Sequence, residues 1–163
     1  MWKVKKSKIH GTGVFATQDI PNNTKVIQYI GEKILKSEGD KRSEKRLKKY
    51  LNSDEDGSVY IFELNNKYDI DGSPKYNKAR YINHSCNPNC AVDIVNNEIW
   101  ITSIKKIKKH EELSYDYGFE FDKLDYRDHI CRCGYKDCIG YIISSDEWPK
   151  YLNLIKKIVR KRI

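Results

Sequence analysis

One run of eleven residues, Arg80 to Cys90, gathers an unusual density of groups that can bind a ligand. It combines a guanidinium, three side-chain amides, an imidazole and two thiols with a turn-forming proline. Buried donors and acceptors need hydrogen-bond partners, so this composition does not suit simple core packing. It does not suit a solvated charge run either, because most of its polar groups are neutral. We therefore interpret the run as the centre of a ligand site.

A second group of reactive side chains lies further along the chain, where Cys131, Cys133 and Cys138 form a C-x-C-x4-C pattern. Three thiolates this close in sequence can reach one tetrahedral ion, and Gly134 allows the turn between them. Clustered cysteines in an intracellular chain favour metal binding over disulfides. Zinc prefers four ligands in a closed structural site, so a fourth must come from elsewhere. Spacing alone leaves three candidates open: Cys86, Cys90 and His129.

Four tyrosines stand on predicted strands. Tyr115 and Tyr117 are two residues apart, so they point to the same face of their strand. Tyr29 and Tyr60 lie on two other strands. Each of them alone is typical of a half-buried core tyrosine, but several together suit a cage for an ammonium or sulfonium group.

Short strands separated by turns are predicted to position these groups. A glycine turn at 11–13 divides two strands within residues 1–20, and Asn96-Asn97 predicts a hairpin turn. The other predicted strands are 26–30 (ending at Gly31-Glu32), 59–64, 68–71, 91–95, 98–102 and 113–117. Residues 36–56 predict a charged helical excursion with Leu47 and Leu51 as its apolar edge. The pattern predicts a mainly β, α+β single domain without parallel βαβ repeats.

Residues 146–163 predict an amphipathic C-terminal helix with a basic face. Pro149 suits the first helical position, and Asp146 and Glu147 favour the helix dipole. Its apolar positions are Tyr151, Leu152, Ile155, Ile158 and Val159. We expect this edge to pack on the domain or on a second subunit, so a monomer and a homodimer are both open. A membrane-surface or nucleic-acid role for the basic face is less favoured.

The composition is that of a soluble globular chain, with 163 residues of which 33% are charged. Its apolar runs are short, so we expect no signal peptide, no membrane span and an intracellular protein, nuclear or cytoplasmic. The net charge of +8 suits an acidic partner such as nucleic acid. A basic surface alone does not identify such a partner.

Five motifs occur in a recognisable order: 11–16 (GTGVFA), 29–32 (YIGE), 80–90, 111–118 (EELSYDYG) and the C-x-C-x4-C run. Together they resemble the SET-domain protein lysine methyltransferases that carry a cysteine-rich post-SET segment, and the resemblance covers roughly residues 5–143. It implies a β-clip of small curved sheets with a C-terminal pseudoknot. The implied organisation is a SET domain at 1–120, a post-SET zinc segment at 127–143 and the helix at 146–163.

The resemblance also implies the ligands. S-adenosylmethionine would be held by His10, Gly11, Thr12, Tyr60, Arg80, Asn83 and His84. One structural zinc ion would be bound by Cys86, Cys131, Cys133 and Cys138, which leaves Cys90 as the spare cysteine. Residues 141–143 would close the channel for cofactor and lysine.

By the same resemblance, Tyr117 is the catalytic tyrosine and Tyr29 lines the lysine channel. Tyr115 lies where the family sets the number of methyl groups, and a tyrosine there implies monomethylation with some dimethylation. The implied substrate is a lysine of a histone tail or another basic protein. Tyr76 and His110 stand where the family usually has glycine, and we expect altered loops there without loss of function. Since no cysteine-rich segment precedes the SET-like region, substrate selection is expected to use little beyond the core domain.

Two other classes of function compete with this interpretation. One is a catalytically idle SET-like module that binds chromatin or a partner, and the other is a small zinc-stabilised nucleic-acid binder. The intact Tyr117, Asn83 and His84 favour the enzyme over the idle module. Only the net charge and the basic tail favour the nucleic-acid binder.

Overall fold

The computed structural model describes residues 1–51, 60–124 and 126–160, without the side chains of 47, 49–51 and 155–160. The predicted apolar edges at Leu47 and Leu51, and at Ile155, Ile158 and Val159, therefore lie outside the described side chains. Within the described residues, no helix is both long and apolar enough to cross a membrane.

Within the part of the chain that the structure describes, ten short strands form four small sheets. In chain order, β1 to β10 are Trp2–Lys6, Thr12–Ala16, Lys25–Tyr29, Glu32–Leu35, Ile61–Glu63, Tyr68–Asp71, Asn83–His84, Cys90–Val95, Glu98–Ser103 and Ser114–Tyr115. The sheet orders are β1-β2, β3-β9-β8, β4-β6-β5 and β7-β10. All pairs are antiparallel except β7 with β10, which is parallel. This arrangement is the β-rich fold that the sequence predicts.

The three-stranded sheet β3-β9-β8 supplies much of the main hydrophobic core. The predicted hairpin between β8 and β9 is present, and both turn residues have positive φ, 53° at Asn96 and 60° at Asn97. These angles are those of a type I′ turn, in which asparagine is favoured. Ile99 and Ile101 of β9 point into the core, each at most 1% exposed.

Helix α1 spans Lys36–Leu51 and is joined to the sheet β4-β6-β5 by an ion-pair network. Asp71, at the end of β6, accepts hydrogen bonds from Arg42 Nη1 at 2.9 Å and from Arg46 Nη2 at 3.1 Å. Its side chain is only 4% exposed. The predicted helical excursion is thus confirmed as far as Leu51, and its continuation to 56 lies outside the described residues.

One strand was missed and two predicted strands are shorter in the structure, since 59–64 is reduced to Ile61–Glu63 among the described residues. Strand β4 was not predicted, because Ile34 is its only buried residue and charged or exposed side chains surround it. The predicted strand 113–117 is reduced to Ser114–Tyr115, since its pairing with the two-residue strand β7 ends there. This short parallel pair brings the polar run beside the tyrosine motif.

A second, smaller core is formed by residues between Phe121 and Leu154 and involves helix α2, Trp148–Arg160. Tyr126, Ile143 and Tyr151 are its buried members. The helix follows a 3-10 turn at Ser145–Glu147, so Pro149 is its second residue instead of its first. Proline is tolerated there because N–H groups in the first turn have no intrahelical partner. Of the predicted apolar positions with described side chains, Tyr151 is buried in this core, whereas Leu152 is 44% exposed.

Tyr76 and His110, which stand where the family usually has glycine, lie in different surroundings. His110 has a φ of 76°, in the left-handed region that glycine adopts most easily. Its backbone N–H donates to the carbonyl of Ala16 at 2.9 Å, which anchors the turn. Tyr76 is 61% exposed.

Candidate active site and metal centre

The turn at His10 to Thr12 lies against the side chain of Asn83. The Asn83 Nδ2 group lies 3.3 Å from the His10 carbonyl oxygen and 3.2 Å from that of Thr12. Gly11, between them, has a φ of 45° that favours glycine. Four of the predicted cofactor residues are thereby brought together, chiefly through backbone groups of the turn.

Glu112 joins the same cluster from the segment before β10. Its carboxylate accepts a hydrogen bond from Asn83 Nδ2 at 2.8 Å and another from Ser7 Oγ at 2.7 Å. A side chain at Gly13 would overlap Glu112 Oε1, so the glycine is required for this close approach. Three distant segments of the chain therefore meet at one carboxylate.

Arg80, Tyr60 and Tyr29 form a second group. The Arg80 guanidinium carbon lies 3.9 Å from the centroid of the Tyr60 ring, and the same guanidinium donates to the Ser73 carbonyl. The Tyr29 hydroxyl donates to the Tyr60 carbonyl oxygen at 2.9 Å. Arg80 Nε is buried without a hydrogen-bond partner among the described residues. A ligand carboxylate is a natural partner for such a group.

Aromatic rings connect these residues to the tyrosine motif. The ring centroids of Tyr115 and Tyr117 are 5.0 Å apart, so the two side chains share one site. Phe62 lies between Tyr29, at 4.9 Å, and Tyr115, at 6.1 Å. The Tyr117 hydroxyl donates to the Ile82 carbonyl at 3.0 Å. The catalytic and channel residues implied by the resemblance thus form one aromatic cluster.

Burial keeps two of these tyrosines neutral over a wider pH range than an exposed tyrosine. It raises the pKa of Tyr29 and the pKa of Tyr115 well above the ordinary tyrosine value, because a buried phenolate would lose its hydration. At neutral pH the cluster therefore presents hydroxyl groups and ring faces instead of phenolates there. Such a surface attracts a cationic group weakly, without a buried negative charge that would lock an amine in its protonated form.

His84 links the aromatic cluster to the cysteines. Its Nδ1 accepts a hydrogen bond from the Tyr117 N–H at 3.2 Å, and its Nε2 lies 3.7 Å from Cys86 Sγ. Burial lowers the pKa of His84 and outweighs the nearby negative charge of Asp116, which acts to raise it. A neutral ring that accepts at Nδ1 carries its proton on Nε2, so it can donate toward the sulfur.

Four sulfur atoms meet at the candidate metal centre. The ligand atoms of Cys86, Cys131, Cys133 and Cys138 all lie within 4.8 Å of one another. Cys86 Sγ is 3.8 Å from Cys131 Sγ and 3.6 Å from Cys138 Sγ. Tetrahedral zinc with Zn–S bonds of about 2.3 Å requires sulfur separations of about 3.8 Å. The four side chains therefore fit one zinc ion.

The protonation of these thiols is also typical of ligands that need a cation. Burial raises the pKa of Cys86 to about 12 and raises the pKa of Cys131 still further. Burial acts in the same direction on Cys133, but hydrogen bonds from neighbouring N–H and S–H groups outweigh it and lower that pKa to about 7. A dication supplies the charge that stabilises four adjacent thiolates.

Cys90 and His129, the other candidates for the fourth ligand, lie elsewhere. Cys90 is 1% exposed and belongs to the main hydrophobic core. The ring of His129 packs edge-on against Phe119, with centroids 5.2 Å apart. Neither belongs to the cysteine cluster found among the described residues.

Comparison with known families gives one decisive match. The SET domain family model matches residues 11–118. The chain belongs to the SET-domain family. The matched range includes the turn at Gly11, the polar run and the tyrosine motif, so this geometry is that of a SET domain.

This chain is also similar in sequence to several proteins named histone-lysine N-methyltransferase. Over 137 residues, 82% of this chain, it is 39% identical to histone-lysine N-methyltransferase 2D of Homo sapiens. It is 37% identical over 142 residues, 84% of the chain, to an H3 lysine-4 specific histone-lysine N-methyltransferase of Aspergillus oryzae. It is 37% identical over 148 residues, 87% of the chain, to histone-lysine N-methyltransferase set-2 of Caenorhabditis elegans. The chain spans 2%, 11% and 9% of the length of these three proteins.

Three further residues take part in this geometry, although sequence patterns predicted no role for them. Glu112 belongs to the motif at 111–118, but its contact with Ser7, 105 positions away, has no local sequence signal. Phe62 is an ordinary strand residue in the sequence, yet it lies between two of the tyrosines. Asp116 Oδ2 accepts from the Ser145 N–H at 2.9 Å, which ties the motif to the segment before α2.

Proposed function

We propose that this chain is an S-adenosylmethionine-dependent protein lysine N-methyltransferase. The observation that carries the proposal is the aromatic cluster. It places the Tyr117 hydroxyl, held by the Ile82 carbonyl, next to Tyr115 and immediately beside the segment of Asn83. Membership of the SET-domain family and similarity to named histone-lysine N-methyltransferases support the same activity.

The cofactor would be held by the turn at His10, Gly11 and Thr12, by Asn83 and His84 of β7, and by Tyr60 with Arg80. When bound, S-adenosylmethionine supplies a methyl group already activated by its sulfonium. The unpaired Arg80 Nε supports this assignment, because a buried guanidinium N–H gains most from a carboxylate partner. The carbonyl oxygens of His10 and Thr12 each have a second lone pair that could accept a hydrogen bond from the cofactor.

The protein has two tasks at the lysine. It must align the amine for in-line attack and must favour the unprotonated amine, which is the nucleophile. Tyr117 and Tyr115 would orient the amine through their hydroxyls, while Tyr29 lines the channel. Since Tyr29 and Tyr115 stay neutral, burial in this cluster disfavours an ammonium ion. The bulk and hydroxyl of Tyr115 would limit the product to monomethyl-lysine with some dimethyl-lysine.

A structural zinc ion on the four-cysteine cluster would fasten the post-SET segment, 127–143, to the polar run. The cluster's separations support zinc, and one ligand, Cys86, lies in the run itself. With the tail fastened, 141–143 would complete the channel. We assign the SET domain to 1–120 and the basic helix to 146–163.

We propose a histone tail or another basic protein as the substrate, in an intracellular compartment. Lysine 4 of histone H3 is the first site to test, because a relative's name specifies it. Nucleic acid is not required for this activity, and the protein would act as a monomer or a homodimer.

The test is methyl transfer from radiolabelled S-adenosylmethionine to mixed histones and to cell lysate. We expect labelled protein, with mass spectrometry identifying methylated lysine. The matched variant Tyr117→Phe should bind S-adenosylmethionine normally but transfer methyl about 100-fold more slowly or worse, because it lacks the hydroxyl that orients the amine.

Cofactor binding without any labelled substrate would contradict the enzyme and support an idle SET-like module. Salt-dependent DNA binding without methyl transfer would point instead to a nucleic-acid binder.

A further inference from the structure

We propose that Glu112 is a positioning residue of the cofactor site. In this role its carboxylate holds the Asn83 amide and the N-terminal turn in one arrangement. The inference rests on the proposed function, because it assigns the turn to cofactor binding. It adds a residue that the predicted cofactor set does not contain.

The first step of the argument is the hydrogen bonding of Asn83. Its Nδ2 group has two hydrogens but lies within reach of three acceptors: the carbonyls of His10 and Thr12 and the carboxylate of Glu112. The contact with Glu112, at 2.8 Å, is the shortest of the three. Hydrogen bonds to a charged acceptor are also roughly twice as strong as neutral ones. Glu112 therefore fixes the orientation of this amide.

The second step is the attachment of the turn. Ser7 Oγ donates to Glu112, 2.7 Å from Oε1 and 2.9 Å from Oε2, and accepts from the Ile9 N–H at 2.9 Å. The Ser7 N–H in turn donates to the Gly11 carbonyl at 3.0 Å. Through Ser7, the carboxylate is thus connected to Ile9 and to Gly11, which flank His10.

The third step is the close packing around the Glu112 carboxylate and the Asn83 amide. At Gly13 even a Cβ atom would overlap the Glu112 carboxylate. Asn83 is only 7% exposed, so the donor that Glu112 satisfies has little access to water. Hydrogen bonds from Ser7 and Asn83 hold the carboxylate in this position, and loss of its acceptor atoms would leave a nearly buried donor with only its two longer contacts.

The experiment measures binding of S-adenosylhomocysteine, a form of the cofactor that cannot react, by calorimetry. We expect Glu112→Ala to weaken binding about 10- to 100-fold, the cost of removing hydrogen bonds to a charged group. Glu112→Gln should remain within about threefold of the original affinity, since its amide oxygen can accept from Asn83 and its amide nitrogen can donate to Ser7. Rescue by this conservative variant distinguishes positioning from bulk packing.

Two further variants test the connection through Ser7. Ser7→Ala should weaken binding by less than Glu112→Ala, and the double variant should bind no more weakly than Glu112→Ala alone, because both act through one carboxylate. Gly13→Ala perturbs the carboxylate while leaving Glu112 in place, so it tests the proposal even where Glu112→Ala does not fold. It should weaken binding at least tenfold.

The matched control is the neighbouring Glu111→Ala. Glu111 is exposed, and among the described residues its carboxylate accepts a hydrogen bond only from the Lys108 N–H, at 2.9 Å. Its removal should leave cofactor affinity within about twofold. In steady-state kinetics, Glu112→Ala should raise KM for the cofactor and leave kcat at saturation nearly unchanged.

Two outcomes would overturn the inference. One is an unchanged affinity for folded Glu112→Ala and Gly13→Ala, and the other is additivity of Ser7→Ala with Glu112→Ala. If the unaltered protein binds no S-adenosylhomocysteine, the proposed function itself fails. The binding of the unaltered chain therefore separates the two failures.

Discussion

Replacing Cys86 by alanine tests whether a metal ion joins the post-SET segment to the polar run. The other three ligands lie within eight consecutive residues, whereas Cys86 is 45 positions before Cys131. The variant therefore leaves a local trio of thiols but removes the long-range connection. Cys90→Ala is the matched control, since that cysteine is also buried but belongs to the main core.

The magnitude follows from linkage between metal binding and folding. A metal that binds only the folded state stabilises it by about 4 kcal/mol when its free concentration is about a thousandfold above Kd. In a domain of this size each kcal/mol shifts Tm by about 2–4 °C. Full loss of the site should therefore lower Tm by about 8–16 °C. Cys90→Ala loses one buried sulfur and should cost about 1 kcal/mol.

The assays are zinc content by mass spectrometry, Tm by calorimetry and the rate of proteolysis within 120–143. We expect about one zinc per chain in the unaltered protein and in Cys90→Ala, with loss of tight zinc in Cys86→Ala. Proteolysis of the tail should accelerate only in Cys86→Ala. Equal zinc content and equal Tm in the two variants would refute the assignment of Cys86 as a ligand.

The remaining predictions concern the tyrosine motif and the ion-pair network. Tyr115→Phe should shift the product toward di- and trimethyl-lysine, because it removes a hydroxyl from the crowded cluster; unchanged product states by mass spectrometry would show that Tyr115 does not set them. Burial tends to raise the pKa of Asp71, but hydrogen bonds from Arg42, Ser73 and Arg46 outweigh it and lower the pKa from 3.8 to about 2. The ionised form therefore contributes stability above pH 3.8 that is lost as the pH falls through about 2. Asp71→Asn should lower the free energy of unfolding by about 2 kcal/mol at neutral pH and flatten its acid dependence. Glu32→Gln, at an exposed partner of Arg42, should change the free energy of unfolding little. Similar acid denaturation of the unaltered protein and both variants would contradict the role of Asp71.

The sequence predicted most of what depends on local pattern. Alternation and turn residues identified the hairpin at Asn96-Asn97, and the dense polar run from Arg80 to Cys90 marked the site. The choice of Cys86 as the fourth cysteine came from the family resemblance, because spacing left Cys90 and His129 open. In the folded chain Cys86 lies in the cysteine cluster, Cys90 in the main core and His129 against Phe119. The sequence around each of these residues does not indicate these different surroundings.

Contacts between distant segments were the main omissions. Strand β4 was missed because a strand with one buried residue, Ile34, has almost no periodic signal. Glu112 was missed because its partners Ser7 and Asn83 are 105 and 29 positions away. Such contacts are set by how strands pair, and propensity and spacing carry little information about that.

The two hydrophobic cores have a consequence for how the molecule opens. Among the described residues the smaller core, with Tyr126, Ile143 and Tyr151, shares no member with the main one. Stability in proteins is divided among cooperative units that open independently, and less buried area means an easier opening. The smaller core and the four-cysteine cluster would form such a unit, and its connections to the rest include Cys86, the Asp116–Ser145 hydrogen bond and the Phe119–His129 ring contact. We expect this unit to open before the main core does, and under the proposed function its opening would release a methylated lysine without disturbing the turn at His10 to Thr12.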